Sequence, residues 1–186
     1  MTRERRRSYT DSMVAAPGFT LVELVAVIII VGILGAAASA RFMGRASFDS
    51  VAFADQSAAL LRYGQKVAIA QNRNVYARVQ ANGVALCYDS TCGVGQRVLA
   101  PGGANSASKA TKAACALDTS WACEAPAAQV TITPLAQFYF DALGKPFLAT
   151  DLPPTPVSLF TTRAITVKAD TSVRTITIEM ETGYVH

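Results

Sequence analysis

The chain of 186 residues contains one histidine, and that histidine is its last residue, His186. A nucleophile activated by an imidazole needs that ring held in a framework, so serine- or cysteine-histidine catalysis is not expected. Charge is scarce as well. Only 16% of the residues are charged and the formal net charge is +4, with a pI near 9.0, too mild a balance to mark a polyanion-binding surface by itself. Phosphate-cradling glycines are missing, because Gly93-Val-Gly95 has neither the later glycine nor a following helix. Asp141 and Asp151 are isolated carboxylates that read as turn residues. The expectation is a protein with no enzymatic activity, no cofactor, no metal and no small-molecule substrate. The one property in surplus is apolarity: 51% of the residues are hydrophobic and mean hydropathy is +0.28, which excludes a disordered chain. The length suits one domain, with or without an appendage.

Charge and apolarity both concentrate at the N-terminus. Arg3, Arg5, Arg6 and Arg7 stand against Glu4 and Asp11, and residues 19 to 40 follow with Glu23 as their only charge. Residues 24 to 40 would make a helix about 26 Å long, near the minimum for a bilayer core. A buried core helix and a secretory signal peptide, cut near Ala38-Ser39-Ala40, are the other readings. Glu23 weighs against the signal peptide, since a carboxylate in hydrocarbon costs several kcal/mol unless paired. Arginines before the apolar run outnumber Arg41 and Arg45 after it, which orients the N-terminus to the cytoplasm and exports the rest.

Gly18-Phe19-Thr20-Leu21-Val22-Glu23 resembles the processing site of type IV pilins and type II secretion pseudopilins. In that family a basic leader ends in glycine, and phenylalanine opens an apolar helix with a glutamate at this spacing. The resemblance implies that a prepilin peptidase cuts between Gly18 and Phe19 and methylates the new Phe19 amine. It also implies the fold: α+β, with a long N-terminal helix, transmembrane in its first half, packed on an antiparallel β-sheet head. The domain plan is then a cleaved leader at 1–18, a helix at 19–72 whose transmembrane and assembly segment is 19–40, and an exported head at 73–186. Glu23 would be the assembly residue, meeting the Phe19 ammonium of a neighbouring subunit. At 4 Å and an effective dielectric near 20 such a pair gains about 4 kcal/mol before desolvation.

Beyond Arg41 no proline occurs before Pro101, and Phe53, Ser57, Leu60, Gly64, Val67 and Ala68 form one stripe at the helical period. That stripe should lie on the head. Asn82-Gly83 between two apolar runs predicts a hairpin. Further strands are expected at 129–133, 137–140, 157–160, 164–168 and 173–180, the last two forming a hairpin around Asp170-Thr171 that covers the stripe. The segment from Pro101 to Lys112, rich in glycine, serine and alanine, reads as an exposed mobile loop, and Pro153-Pro154-Thr155-Pro156 as a stiff one.

Cys87, Cys92, Cys115 and Cys123 allow three disulfide connectivities in an oxidising compartment. The local pairs Cys87–Cys92 and Cys115–Cys123 are favoured because short loops cost least to close. A zinc site is the alternative, and it lacks both the Cys-x-x-Cys spacing and a framework histidine. Leu60-Leu-Arg-Tyr-Gly-Gln-Lys-Val-Ala-Ile-Ala, Phe140-Asp-Ala-Leu-Gly-Lys-Pro-Phe and Thr182-Gly-Tyr-Val-His resemble the GspH/FimT group of minor pilins and pseudopilins. With Arg41-Phe42 and Ser47-Phe48 they look closest to the MshC-type minor pilins of the mannose-sensitive haemagglutinin pilus.

This resemblance implies a subunit that helps to initiate or cap a filament. Its partners would be other pilin or pseudopilin subunits, prepilin peptidase and the bacterial inner membrane, with the head in the periplasm and later in the pilus or pseudopilus. A type II secretion pseudopilin is the first alternative. A minor pilin binding DNA for uptake is the second; it needs a basic cluster in the head, against which Glu179 and Glu181 stand.

Overall fold

The computed structural model describes residues 20 to 43, 45 to 151 and 157 to 186, with backbone alone for 37 to 43. The leader expected at 1–18 and the stiff loop expected at 153–156 therefore lie outside the described residues. The chain divides into two compact units, residues 1–41 and 42–186. The first holds most of helix α1 (Leu21–Met43). Helix α2 (Arg45–Gln71) belongs to the second, and Gly44 between the helices is not described.

Two antiparallel sheets make up the rest of the second unit. The larger has the order β3-β2-β1-β5-β6, built from β1 (Val75–Gln80), β2 (Gly83–Cys87), β3 (Cys123–Glu124), β5 (Leu135–Phe140) and β6 (Pro146–Leu148). The smaller, β4-β7-β8, contains β4 (Thr131–Ile132), β7 (Arg163–Ala169) and β8 (Ser172–Ile178). Helix α2 packs on strands of both sheets, which makes this unit α+β with a helix laid on antiparallel β-structure.

The stripe read from the sequence is the buried face of α2: Phe53, Ser57, Leu60, Gly64, Val67 and Ala68 are all inaccessible, and Leu61 beside them is fully covered. Gly64 allows the closest approach. A Cβ there would lie 2.8 Å from a methyl of Leu86 on β2. Opposite the helix, alternation along β1 sends Val75, Ala77 and Val79 inward, where they join Phe138, Phe140, Ile165, Val167 and Ile178. Each large side chain so buried contributes about 1.5–3 kcal/mol.

Several expected elements moved. In the first hairpin Gln80 pairs with Gly83, so the two turn residues are Ala81 and Asn82, and the glycine opens β2. Gly83 has φ +150, and a Cβ on it would lie 2.3 Å from the Glu124 carbonyl oxygen. It is needed for the approach of β3 as much as for the turn. The second hairpin turns at Asp170-Thr171, between the pair Ala169 and Ser172. Residues 157–160 form no strand, because side chains take their amides: Asp151 accepts from Leu159 N–H at 3.0 Å and Ser158 from Phe160 N–H at 3.1 Å. The segment read as a mobile loop contains the short helix α3 (Lys109–Ala114), capped by the Ser108 hydroxyl, which accepts from Thr111 N–H at 3.0 Å.

Candidate assembly helix and the braced head

Thr20 opens α1. Its hydroxyl accepts a hydrogen bond from Glu23 N–H at 3.2 Å, and its carbonyl accepts from Leu24 N–H at 3.1 Å. Threonine followed three residues later by glutamate is a capping-box sequence, and the Glu23 carboxylate sits in the first turn, where the helix dipole favours a negative charge. Among the described residues Glu23 has no ion-pair partner. Gly18 and Phe19 lie outside the described residues.

From Leu24 to Ala36 the helix is apolar on every side. Its large aliphatic side chains, from Leu21 to Leu34, are 41% to 78% exposed, with Val25 the least and Leu21 the most. An amphipathic surface helix would hide one stripe and show a polar face; here no polar face exists to show. Gly32 and Gly35 have open space where a Cβ would stand, so nothing among the described residues fills those notches. Among the described residues no helix is long and apolar enough to cross a membrane. The described side chains of α1 end at Ala36, about 24 Å of helix against a core of about 30 Å.

In the head, Cys87 is bonded to Cys92 and Cys115 to Cys123, with Cα atoms 5.2 and 5.9 Å apart. With Ala85 and Trp121 the four half-cystines form a small second core, on the far side of the large sheet from the main one. Arg97 links its rim. The guanidinium lies 4.5 Å from the Trp121 ring centroid and 2.8 Å from Asp118 Oδ2. The Ser120 hydroxyl, and after it Arg97, hold the Asp118 carboxyl below the usual range. Trp121 Nε1–H donates to the Leu86 carbonyl at 2.8 Å, which ties this core to β2.

Glu124, only 5% exposed, organises the segment before α3. Its Oε1 accepts from Ser106 N–H at 2.7 Å, and its Oε2 from the Ser106 and Thr111 hydroxyls at 2.5 and 3.0 Å. Sequence reading missed this anchor. Its one local signal is Ser108 before a run of good helix formers, since the carboxylate comes from 13 residues beyond Thr111. Asp141 and Asp151 are separate turn anchors: Asp141 accepts from Leu143 N–H and Lys145 N–H, and Asp151 from Leu148 N–H and Leu159 N–H. Among the described residues no three His, Cys, Asp or Glu side chains are grouped to hold a metal ion.

The three segments quoted for the head's resemblance meet at one place. Gln65 on α2 donates from Nε2 to the Gly144 carbonyl at 2.9 Å and to the Thr182 carbonyl at 2.7 Å. Lys145 pairs with Glu181 at 2.8 Å beside them. These residues hold the helix, the β5–β6 turn and the C-terminal turn together, which is a structural task.

No protein-family model matches this sequence. No curated protein matches it significantly. Among solved structures, the chain is similar to the type IV minor pilin FimU of Pseudomonas aeruginosa strain PAO1 in two crystal forms. Both likenesses are at 16% identity over 73% of this chain, covering 85% and 90% of the FimU chain with TM-scores of 0.45 and 0.43.

Proposed function

We propose that this protein is a minor pilin or pseudopilin of the GspH/FimT type, a filament subunit stored in the inner membrane by its apolar helix with the head in the periplasm. The observation that carries the reading is the 21–36 part of α1: apolar around its whole circumference, exposed throughout its described side chains, and charged only at Glu23 in its first turn, the next charge being Arg41 near the helix end. Such a helix is stable only in lipid or among other apolar helices. Packing α1 among those of neighbouring subunits removes its aliphatic surface from contact with water, and Glu23 there finds a cation in the Phe19 ammonium exposed by prepilin peptidase. An isolated carboxylate in hydrocarbon would otherwise cost several kcal/mol. Within that reading we propose a pilus of the mannose-sensitive haemagglutinin kind, on the resemblance of the quoted sequence segments to MshC-type minor pilins.

Intact mass of the protein recovered from cell envelopes tests this. A chain beginning at N-methylated Phe19 is expected; a chain beginning at Arg41 identifies a cleaved signal peptide and overturns the filament reading.

A further inference from the structure

The outer face of the large sheet carries a cation with no counter-charge. Alternation along β1 turns Ala77 and Val79 into the core and leaves Arg78 on the opposite face, half-buried. Among the described residues the Arg78 side chain makes neither an ion pair nor a hydrogen bond. Partial removal of a guanidinium from water without a partner is unfavourable, and an anion that completes its hydrogen bonds recovers that cost.

The backbone beside Arg78 is irregular in a way that makes room for one. Ala77 pairs with Phe138 and Val79 with Leu135, so Arg78 alone faces two residues of β5, Ala136 and Gln137. Bulges of this kind open a ladder locally and re-aim side chains. On its other flank Arg78 faces Ala85 of β2, too small to cover it.

Two cavities adjoin Arg78, and Gln80 lines both. One, of about 260 Å³, is bounded by Asn82, Ala114 and Trp121. The other, of about 210 Å³, is bounded by Ser90, Thr91 and Gln137. No carboxylate lines either. The carboxylate adjacent to this face, Asp89, is engaged in its own turn, accepting through Oδ1 from Thr91 N–H, the Thr91 hydroxyl and Cys92 N–H. An arginine flanked by primary amides and hydroxyls offers a bidentate fork for a carboxylate; of the amides, Gln137 is already oriented by donating from Nε2 to the Ser90 carbonyl at 3.0 Å, which leaves its second N–H and its Oε1 for a ligand. Around it stand groups that both donate to and accept from neighbouring hydroxyls.

We infer that this face binds a sugar acid: Arg78 takes the uronate carboxylate, while Gln80, Asn82 and Gln137 hold ring hydroxyls in the two flanking cavities. A sugar acid fits better than an acidic peptide because the cavities present amides on both sides of a single cation, with the Ser90 and Thr91 hydroxyls on one of them. An acidic peptide would present a second carboxylate with no cation to meet it. The inference is independent of the filament reading, since every residue in it belongs to the head.

The test is calorimetric titration of the full chain in detergent with a galacturonate trisaccharide, beside the corresponding neutral galactose trisaccharide and a triglutamate peptide. Binding of the galacturonate trimer is expected, weakened at least about tenfold by Arg78→Gln and less by Gln80→Ala, an exposed position whose replacement leaves the core intact. No binding of the galacturonate trimer overturns the inference, as does unchanged affinity in either variant. Equal binding of the neutral trimer, or tighter binding of triglutamate, also overturns it.

Discussion

The Gln65 side-chain amide donates to the Gly144 carbonyl at 2.9 Å, joining the second helix to the β5–β6 turn. The same nitrogen reaches Thr182 O. Gly183, at φ +65, comes close enough that a Cβ would lie 2.3 Å from that same Gly144 oxygen. Gln65→Leu removes two hydrogen bonds and leaves their acceptors behind, an expected loss of about 2 kcal/mol in urea unfolding. Gly183→Ala should cost more than Gly102→Ala. Both glycines have positive φ, but Gly102 faces open space, so the difference between the two variants isolates the clash.

Glu124→Ala should release the segment before α3. Three donors, Ser106 N–H, Ser106 Oγ and Thr111 Oγ1, lose their common acceptor. Limited trypsin digestion is expected to cut at Lys109 or Lys112 in the variant well before the parent protein is cut there. Equal protection in both would show that the Cys115–Cys123 bond alone orders the segment.

Replacing both Cys115 and Cys123 by serine should lower stability by about 2.5 kcal/mol, the chain-entropy value for so short a loop, with a further loss from the small core around Trp121. Comparing denaturation of parent and variant, each with and without reductant, separates this bond from Cys87–Cys92. Reductant should still destabilise the variant.

Tyr76 and Tyr139, whose rings lie 5.0 Å apart on the outer face of the large sheet, should titrate above the ordinary phenol range. Burial raises both; after it, Asp89 raises Tyr76 and Tyr76 raises Tyr139. A group whose proton is held more tightly in the folded chain adds stability below its unfolded pKa, here 10.0, and that stability is lost as pH climbs through the raised values. Absorbance titration should show two late phenols that ionise together with alkaline unfolding.

How far the fold could be read ahead depended on the range of the forces. The α2 stripe was legible because six positions repeat at the helical period and all are buried. The hairpin at Asp170-Thr171 followed from alternation in both its strands. The first hairpin slipped by one residue because Gly83 answers to Glu124, 41 residues away, as well as to its own turn. Helix α3 was missed for a similar reason: six residues hold little helical signal of their own, and the buried carboxylate that organises them comes from another strand. In the N-terminal segment the charge pattern singles out Glu23, and the structure adds that its backbone N–H is capped by the Thr20 hydroxyl. Arg78 carried no signal, since an arginine inside an alternating strand looks like any solvated side chain until the bulge and the missing counter-charge are seen.

His186 and Thr177 exchange both backbone hydrogen bonds, at 2.6 and 3.0 Å, and Glu179 N–H donates to Tyr184 O. Residues 184–186 thereby act as a short extra strand over the outer edge of β8, while the edge at Val173 and Arg174 is left without one. An affinity tag joined directly to His186 would thus prolong a paired edge alongside open backbone donors and acceptors, a ready template for association between copies. Labels for imaging or purification are better placed in the exposed turn at Gly102, where a side chain meets nothing.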